Sequence, residues 1–138
     1  MYGGLFFKFM AAFQVYTGLN NYGKALKYHT EALTCGRSVC IFPMGKKHID
    51  EDIHQAKGGV SYLAATSRLP IIPVRITGIE YMKSDDFWKR RRKLQVTFGE
   101  PIYFSELSGV DSTNPDRDLC ERTAVSLMKK IVALDSRH

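Results

Sequence analysis

The sequence has few cysteines and no long apolar run. The first feature argues against a disulfide-bonded scaffold, and the second against a membrane-spanning helix. Its 138 residues include three cysteines, which form no CxxC or Cys/His ligand pattern. This odd number argues against a disulfide framework and indicates a reducing compartment. Lys8 interrupts the phenylalanine-rich N-terminal segment, so no apolar run approaches the roughly 20 residues that a membrane-spanning helix needs. The segment also has no basic stretch ahead of it and no cleavage pattern, so we expect no signal peptide.

The composition is that of a folded protein, but its charge is unevenly distributed. Hydrophobic residues make up 44% of the sequence and charged residues 25%, which is typical of a soluble globular protein with an apolar core. We therefore expect one domain over residues 1–138. The net charge is +6, and the excess is concentrated in the run Lys89–Lys93. Such a run favours anionic partners, such as phospholipid head groups, acidic carrier proteins or nucleic acid.

The segment from Ser38 to Ile76 is predicted to have the order strand, helix, strand. β-Branched and aromatic residues predict buried strands over 39–42 and 71–76. Between them, apolar residues at helical spacing predict a helix over 56–67. This βαβ order indicates a parallel sheet with a right-handed crossover.

The rest of the chain is predicted to contain further helices and at least one further strand. Before residue 38 we predict an apolar helix or segment over 5–10, a short strand over 11–16, and a helix that includes Ala25 to Leu33 and stops at Cys35 and Gly36. After residue 76 we predict a strand over 94–98 that resumes at 102–104, a loop over 108–118, and a helix over 119–134. The inward stripe of this last helix is Ala124, Leu127, Met128 and Ile131.

Glycines and cations adjoin the two predicted strands. Gly45 lies in the turn after the first strand, and Lys57 precedes Gly58 and Gly59 at the start of the predicted helix. Backbone N–H groups at a helix start, together with a nearby ammonium, are a common way to bind phosphate. We interpret this segment as a site for an anionic, phosphate-bearing ligand. A solvated lysine beside a turn is the alternative interpretation of Lys57.

Four blocks of this sequence match a known family in order and spacing. They read Ile-Phe-Pro-Met-Gly over 41–45, Gln-Ala-Lys-Gly-Gly over 55–59, Leu-Pro-Ile-Ile-Pro-Val-Arg-Ile over 69–76, and Val-Thr-Phe-Gly-Glu-Pro-Ile over 96–102. With them the chain resembles, over roughly residues 5–105, the glycerolipid acyltransferases typified by 1-acylglycerol-3-phosphate (lysophosphatidic acid) acyltransferase. The resemblance implies an α/β fold of the glycerol-3-phosphate acyltransferase type, with a mostly parallel central sheet, flanking helices and its N-terminal part missing. Residues 1–138 would then form a single, partial acyltransferase-like domain.

The resemblance implies acyl transfer in phospholipid biosynthesis. The acyl chain would pass from acyl-CoA or acyl-carrier protein, as co-substrate, to a lysophospholipid such as 1-acylglycerol-3-phosphate, without a cofactor or a metal. Lys47 stands where the family has arginine, and its ammonium would neutralise a phosphate without the bidentate fork of a guanidinium. Met44 replaces the family's glutamate and cannot hydrogen-bond a glycerol hydroxyl. The substrate-binding residues that carry over are Phe42, Pro43, Gly45, Lys47, Lys57, Gly58 and Gly59.

No catalytic residue carries over. The family's catalytic pair is a histidine followed, after four intervening residues, by an aspartate that orients the histidine as it deprotonates the acceptor hydroxyl. None of the histidines in this sequence has that partner, since the fifth residue after His29 is Thr34, after His48 is Ile53, and after His54 is Gly59, while His138 is the last residue. We expect the pair to precede Met1, so that this chain supplies the acceptor-binding part. The alternative is a non-catalytic lipid- or acyl-carrier-binding module.

The segment from Trp88 to Lys93 is typical of an anchor to an anionic membrane surface, because an aromatic residue directly precedes a run of cations. We accordingly expect a peripheral protein on the cytoplasmic side of a membrane. Nucleic acid is not expected, since no recognised nucleic-acid fold accompanies the run. A solvated run without a partner is the remaining alternative.

Two other groups of side chains are interpreted as structural. The carboxylates and imidazoles of residues 48–54 have no spacing that defines a metal geometry, so we expect a soluble loop and no metal. Cys40 is expected to pack within the first strand, and the N-terminal methionine and phenylalanines are expected to pack in the core or against a membrane.

Overall fold

The computed structural model describes residues 21–45, 53–78, 85, 88–89 and 93–134. The chain divides into two units, Met1–Ile41 and Phe42–His138. The predicted elements over 5–10 and 11–16 lie outside the described residues, as do Lys47 and the residues between Lys89 and Lys93.

The first unit contains helices α1 (Tyr22–Ala25) and α2 (Lys27–Thr34). The side chain of Asn21 caps α1 by accepting a hydrogen bond from the Lys24 N–H at 3.0 Å. The buried residues follow helical spacing, and they include His29, whose pKa is lowered by its burial. Beyond α2, the Gly36 N–H donates to the Leu33 carbonyl at 3.0 Å and closes the last turn. The predicted helix and its stop at Cys35 and Gly36 are confirmed, except that Leu26 separates Ala25, in α1, from α2.

The core of the second unit lies between helices α3 (Gly59–Ser67) and α5 (Arg117–Ala133). A short helix, α4 (Phe104–Ser108), packs against both of them. The buried residues of the two long helices are Ser61, Leu63, Ala64 and Ala65 of α3 and Cys120, Thr123, Ala124 and Leu127 of α5. Both predicted helices are therefore confirmed. Of the predicted inward stripe, Ala124 and Leu127 are fully buried, whereas Met128 and Ile131 are half-buried.

Strands β1 (Val74–Thr77) and β2 (Gln95–Phe98) form an antiparallel pair. Val74 lies opposite Phe98, and Ile76 lies opposite Val96. The pairing continues before β1, because the Gly99 N–H donates to the Pro73 carbonyl at 2.8 Å and Ile71 bridges Ile102. The protein is thus a mixture of helix and strand, and the sheet formed by its described residues has two antiparallel strands. The strands predicted over 71–76 and 94–98 are present, and β1 begins at Val74.

Two predicted strands are wrong within the described residues. Residues 38–42 form no strand, because no described strand pairs with their backbone, and Cys40 is exposed rather than packed. Residues 102–104 do not resume β2 beyond the single bridge at Ile102. The Glu106 carboxylate instead accepts a hydrogen bond from the Tyr103 N–H at 3.0 Å, and α4 begins at the next residue.

In the ranges that the structure describes, no helix has both the length and the apolar composition to cross a bilayer.

Candidate functional site

The first part of the candidate site is a tight turn over residues 42–45. The Gly45 N–H donates to the Phe42 carbonyl at 3.0 Å and closes the turn. Gly45 has a φ of 64°, in the left-handed region that glycine adopts without steric cost. Pro43 and Met44 are half-buried, and the Phe42 side chain is 74% exposed. The turn therefore presents one large apolar side chain and the Gly45 backbone to its surroundings.

The second part is the start of helix α3. Gly58 is the N-cap residue, and no side chain caps the helix there. The first N–H groups of a helix have no partner within it, and the helix dipole places partial positive charge at that end. No acidic residue lies in the first turn of α3. Gly58 is buried, Gly59 is half-buried, and Lys57 is exposed just ahead of them.

One hydrogen bond joins the two parts. The Lys57 N–H donates to the Pro43 carbonyl at 2.8 Å. This bond links residues that are 14 positions apart in the sequence and sets the turn beside the start of α3. Of the seven predicted substrate-binding residues, six therefore belong to one local arrangement, namely Phe42, Pro43, Gly45, Lys57, Gly58 and Gly59. Lys47 lies outside the described residues.

The arrangement provides groups that suit an anion. It combines the exposed Lys57 with the N-terminal end of a nine-residue helix, and both favour negative charge. Gly59 has no side chain and is half-buried, so its backbone is partly accessible to a ligand. A phosphate or a carboxylate is the ligand that these groups would hold best.

Ser61 is a residue of this region that the sequence patterns did not single out. It is the third residue of α3, fully buried, and its Oγ has no hydrogen-bond partner in the part of the chain that the structure describes. A buried hydroxyl without a partner is unusual, because leaving one unpaired costs free energy. The feature of the sequence that could have identified Ser61 is its position in the first helical turn after Gly58 and Gly59.

Cys120 is not an activated nucleophile. Cys120 is fully buried, and its burial, with smaller contributions from Asp116 and Glu121, raises the pKa of its thiol to about 11. A thiol with such a pKa stays protonated near neutral pH and does not act as a nucleophile. Cys35 and Cys40 are exposed.

The structure covers only part of the predicted loop and of the basic run. Of residues 48–54, only Ile53 and His54 are described, in a 3₁₀ turn over Ile53–Gln55. Among the described residues, no three side chains of histidine, cysteine, aspartate or glutamate gather in a potential metal site. Trp88 is 81% exposed, and the Lys89 ammonium pairs with the Asp85 carboxylate at 2.9 Å.

Comparisons with known proteins agree on one family. A family model described as "Acyltransferase" matches residues 3–77, which include the turn over 42–45 and the whole of α3. The chain is 26% identical over 104 residues to a probable 1-acyl-sn-glycerol-3-phosphate acyltransferase of Mycoplasma pneumoniae. It is 30% identical over 89 residues to the 1-acyl-sn-glycerol-3-phosphate acyltransferase of Streptococcus pneumoniae. No solved structure is significantly similar to the chain.

The two relatives are considerably longer than the matched region. The first comparison covers 70% of this chain and 39% of the relative, and the second covers 64% of this chain and 31% of the relative. The chain thus spans well under half the length of the curated relatives that it matches.

Proposed function

The chain belongs to the acyltransferase family, and we propose that it takes part in phospholipid biosynthesis by binding the acceptor of an acyl transfer. The acceptor is a lysophospholipid such as 1-acylglycerol-3-phosphate, and the donor is acyl-CoA or acyl-carrier protein. The names of the two relatives support an acylglycerol phosphate as the substrate class. No cofactor is part of the proposal.

The observation that carries this proposal is the hydrogen bond from the Lys57 N–H to the Pro43 carbonyl. It brings the turn over 42–45 to the start of α3, where Lys57 is exposed and no side chain caps the helix. The acceptor phosphate would receive hydrogen bonds from the N–H groups of the first turn and a charge interaction from Lys57. Lys47 would add a second cation.

The proposed site binds the acceptor and neutralises the charge of its phosphate, and we assign no catalytic base. None of the four histidines in the sequence has an aspartate five positions further on, which is the spacing of the family's catalytic pair. Met44, where the family has glutamate, leaves the glycerol part of the acceptor without that hydrogen-bond partner. These two departures favour a second candidate function, a non-catalytic module that binds a lipid or an acyl carrier.

The proposed fold is a larger sheet than the one described. A two-stranded ribbon is marginally stable by itself, which supports a larger sheet to which β1 and β2 contribute. That this sheet is mostly parallel and flanked by helices is what the family resemblance implies. We further propose a peripheral position on the cytoplasmic side of a membrane, where a lysophospholipid acceptor resides.

Replacing Lys57 tests the acceptor site. We expect Lys57→Gln to weaken the binding of lysophosphatidic acid by about fivefold, because an exposed cation contributes on the order of 1 kcal/mol to phosphate binding. Binding of monoacylglycerol, which has no phosphate, should not change. Calorimetric titration of the 138-residue chain below the critical micelle concentration measures both affinities.

Lys130→Gln is the matched control, since Lys130 is also exposed and lies in the last turn of α5. It should leave both affinities unchanged, and Lys57→Arg should retain most of the phosphate-dependent binding. Equal weakening by Lys57→Gln and Lys130→Gln would contradict the assignment, because it would mean that net charge alone attracts the ligand.

A further inference from the structure

The Ser61 hydroxyl differs from the other hydroxyls of helix α3 in having no hydrogen-bond partner among the described residues, although it is fully buried. The Thr66 Oγ1 donates to the Tyr62 carbonyl at 2.8 Å. The Ser67 Oγ donates to the Leu63 carbonyl at 2.6 Å. Helical serines and threonines are commonly satisfied in this way, by the carbonyl one turn earlier. Ser61 makes no such bond, so its hydroxyl is available to a group that the helix does not supply.

The position of Ser61 directs this hydroxyl to the start of α3. Gly58 is the N-cap residue, which makes Ser61 the third residue of the helix. Helical side chains lean towards the N-terminus, and a side chain at the third position can reach back to the N–H of the N-cap residue. The Ser61 Oγ therefore lies at the same end of α3 as the N–H groups that no side chain caps.

Ser61 offers two donors to a single ligand. The first backbone hydrogen bond of α3 runs from the Tyr62 N–H to the Gly58 carbonyl at 2.9 Å. The N–H groups of residues 59–61 precede this bond and have no partner within the helix. The Ser61 N–H and the Ser61 hydroxyl can thus donate to oxygens of one anion at the helix start, where the helix dipole favours negative charge.

Packing alone does not account for a serine at this position. Ala64 and Ala65 follow Ser61 by three and four residues and are buried on the same side of the helix. An alanine at position 61 would pack there equally well and would leave no buried hydroxyl unpaired. A hydroxyl without a partner costs free energy in the absence of ligand, whereas its hydrogen bond to a charged oxygen is strong where water is excluded.

We propose that Ser61 is a binding residue of the anion site, and that its hydroxyl donates a hydrogen bond to a phosphate oxygen of the ligand. The phosphate lies at the start of α3, where Gly59 is half-buried and its backbone is partly accessible. A phosphate monoester presents three acceptor oxygens, which is enough for the N–H groups of the first turn, for Ser61 and for Lys57. The inference rests on the proposed function for the identity of the ligand, the acceptor, and adds to it a residue that binds by direction rather than by charge.

The variant Ser61→Ala tests the inference through two measurements with different expected directions. We expect the binding of lysophosphatidic acid to weaken about tenfold, because a hydrogen bond to a charged oxygen is lost. The midpoint of thermal unfolding without ligand should stay the same or rise, because a buried hydroxyl without a partner is removed. Calorimetric titration below the critical micelle concentration and circular dichroism measure the two quantities on the 138-residue chain.

Ser67→Ala is the matched control, because Ser67 lies in the last turn of the same helix and its hydroxyl already bonds to the Leu63 carbonyl. It should leave the affinity for lysophosphatidic acid unchanged. Inorganic phosphate is the second probe, and broadening of its phosphorus resonance measures binding. Its affinity should fall with Ser61→Ala by a similar factor, since the hydroxyl contacts the phosphate and not the rest of the acceptor.

Equal affinity of the Ser61→Ala variant and the unaltered chain for both probes would overturn the inference, as would failure of the unaltered chain to bind either probe. If Lys57→Gln weakened the binding of lysophosphatidic acid while Ser61→Ala did not, the inference would be wrong and the proposed function would stand. If binding of inorganic phosphate depended on Ser61 but lysophosphatidic acid bound no more tightly than monoacylglycerol, the inference would hold and the proposed acceptor would be wrong.

Discussion

At the scale of single residues, two glycines with positive φ have different surroundings. Gly45 has a φ of 64°, and a Cβ at this position would meet nothing within 4 Å. Gly78, which directly follows β1, has a φ of 85°, and a Cβ there would overlap the backbone carbonyl of Lys93. Backbone cannot move aside as a flexible side chain can, so the close approach at Gly78 depends on the absence of a side chain.

Alanine substitution distinguishes these two positions. We expect Gly45→Ala to lower the free energy of unfolding by about 1 kcal/mol, the conformational cost of a left-handed alanine. Gly78→Ala should cost roughly 3 kcal/mol, since the strand ends must also separate. Urea unfolding followed by circular dichroism measures both values. Equal costs would show that Lys93 and Gly78 are not in close contact.

At the scale of elements, α5 packs against both α3 and α4 in the second unit, and a side-chain cap defines where it starts. The Asp116 Oδ1 accepts a hydrogen bond from the Leu119 N–H at 2.7 Å, which satisfies one N–H group of the first turn. The pairs Arg117 with Glu121 and Asp118 with Arg122 are largely exposed and add little by comparison. The sequence prediction began this helix at residue 119, two residues after its actual start at Arg117.

Asp116 is therefore the position at which to test the stability of α5. We expect Asp116→Ala to lower the free energy of unfolding by about 1 kcal/mol, because the Leu119 N–H loses its partner. Asp116→Asn keeps a capping oxygen and should cost a few tenths of that value. Thermal unfolding of the two variants, with Asp111→Ala in the preceding loop as a control, measures the difference. A similar cost for alanine and asparagine would indicate a charge effect rather than capping.

At the scale of the whole molecule, the chain belongs to the acyltransferase family, but its sequence does not contain the spacing of that family's catalytic histidine and aspartate. The family model matches more than half of the chain, whereas the matched region covers 39% and 31% of the two relatives. The acceptor-side features are present as one local arrangement, and the sequence has no histidine with the family's aspartate spacing.

We expect no acyl transfer from labelled acyl-CoA to lysophosphatidic acid by the purified 138-residue chain, since none of its histidines has an aspartate at the spacing of the family's catalytic pair. Thin-layer chromatography of the labelled lipid products measures the transfer. The bacterial relatives named above serve as positive controls. Robust turnover would contradict this expectation and require a different catalytic base within the sequence.

The sequence by itself determined helices α2, α3 and α5, the approximate positions of the two strands, and the family. Apolar spacing within each helix is a local property, so α2, α3 and α5 were predictable. The motif blocks at 41–45 and 55–59 likewise identified the acyltransferase resemblance and six residues that the structure brings together.

Only the tertiary structure decided which segments pair and which surfaces remain exposed. Residues 38–42 have the composition of a buried strand, but a strand forms only where another backbone supplies its hydrogen-bond partners. The bond from Lys57 to Pro43, the antiparallel register of β1 and β2, and the exposed Phe98 all depend on residues that are distant in sequence. Local patterns carry no information on such contacts, because the chain must fold before their partners meet.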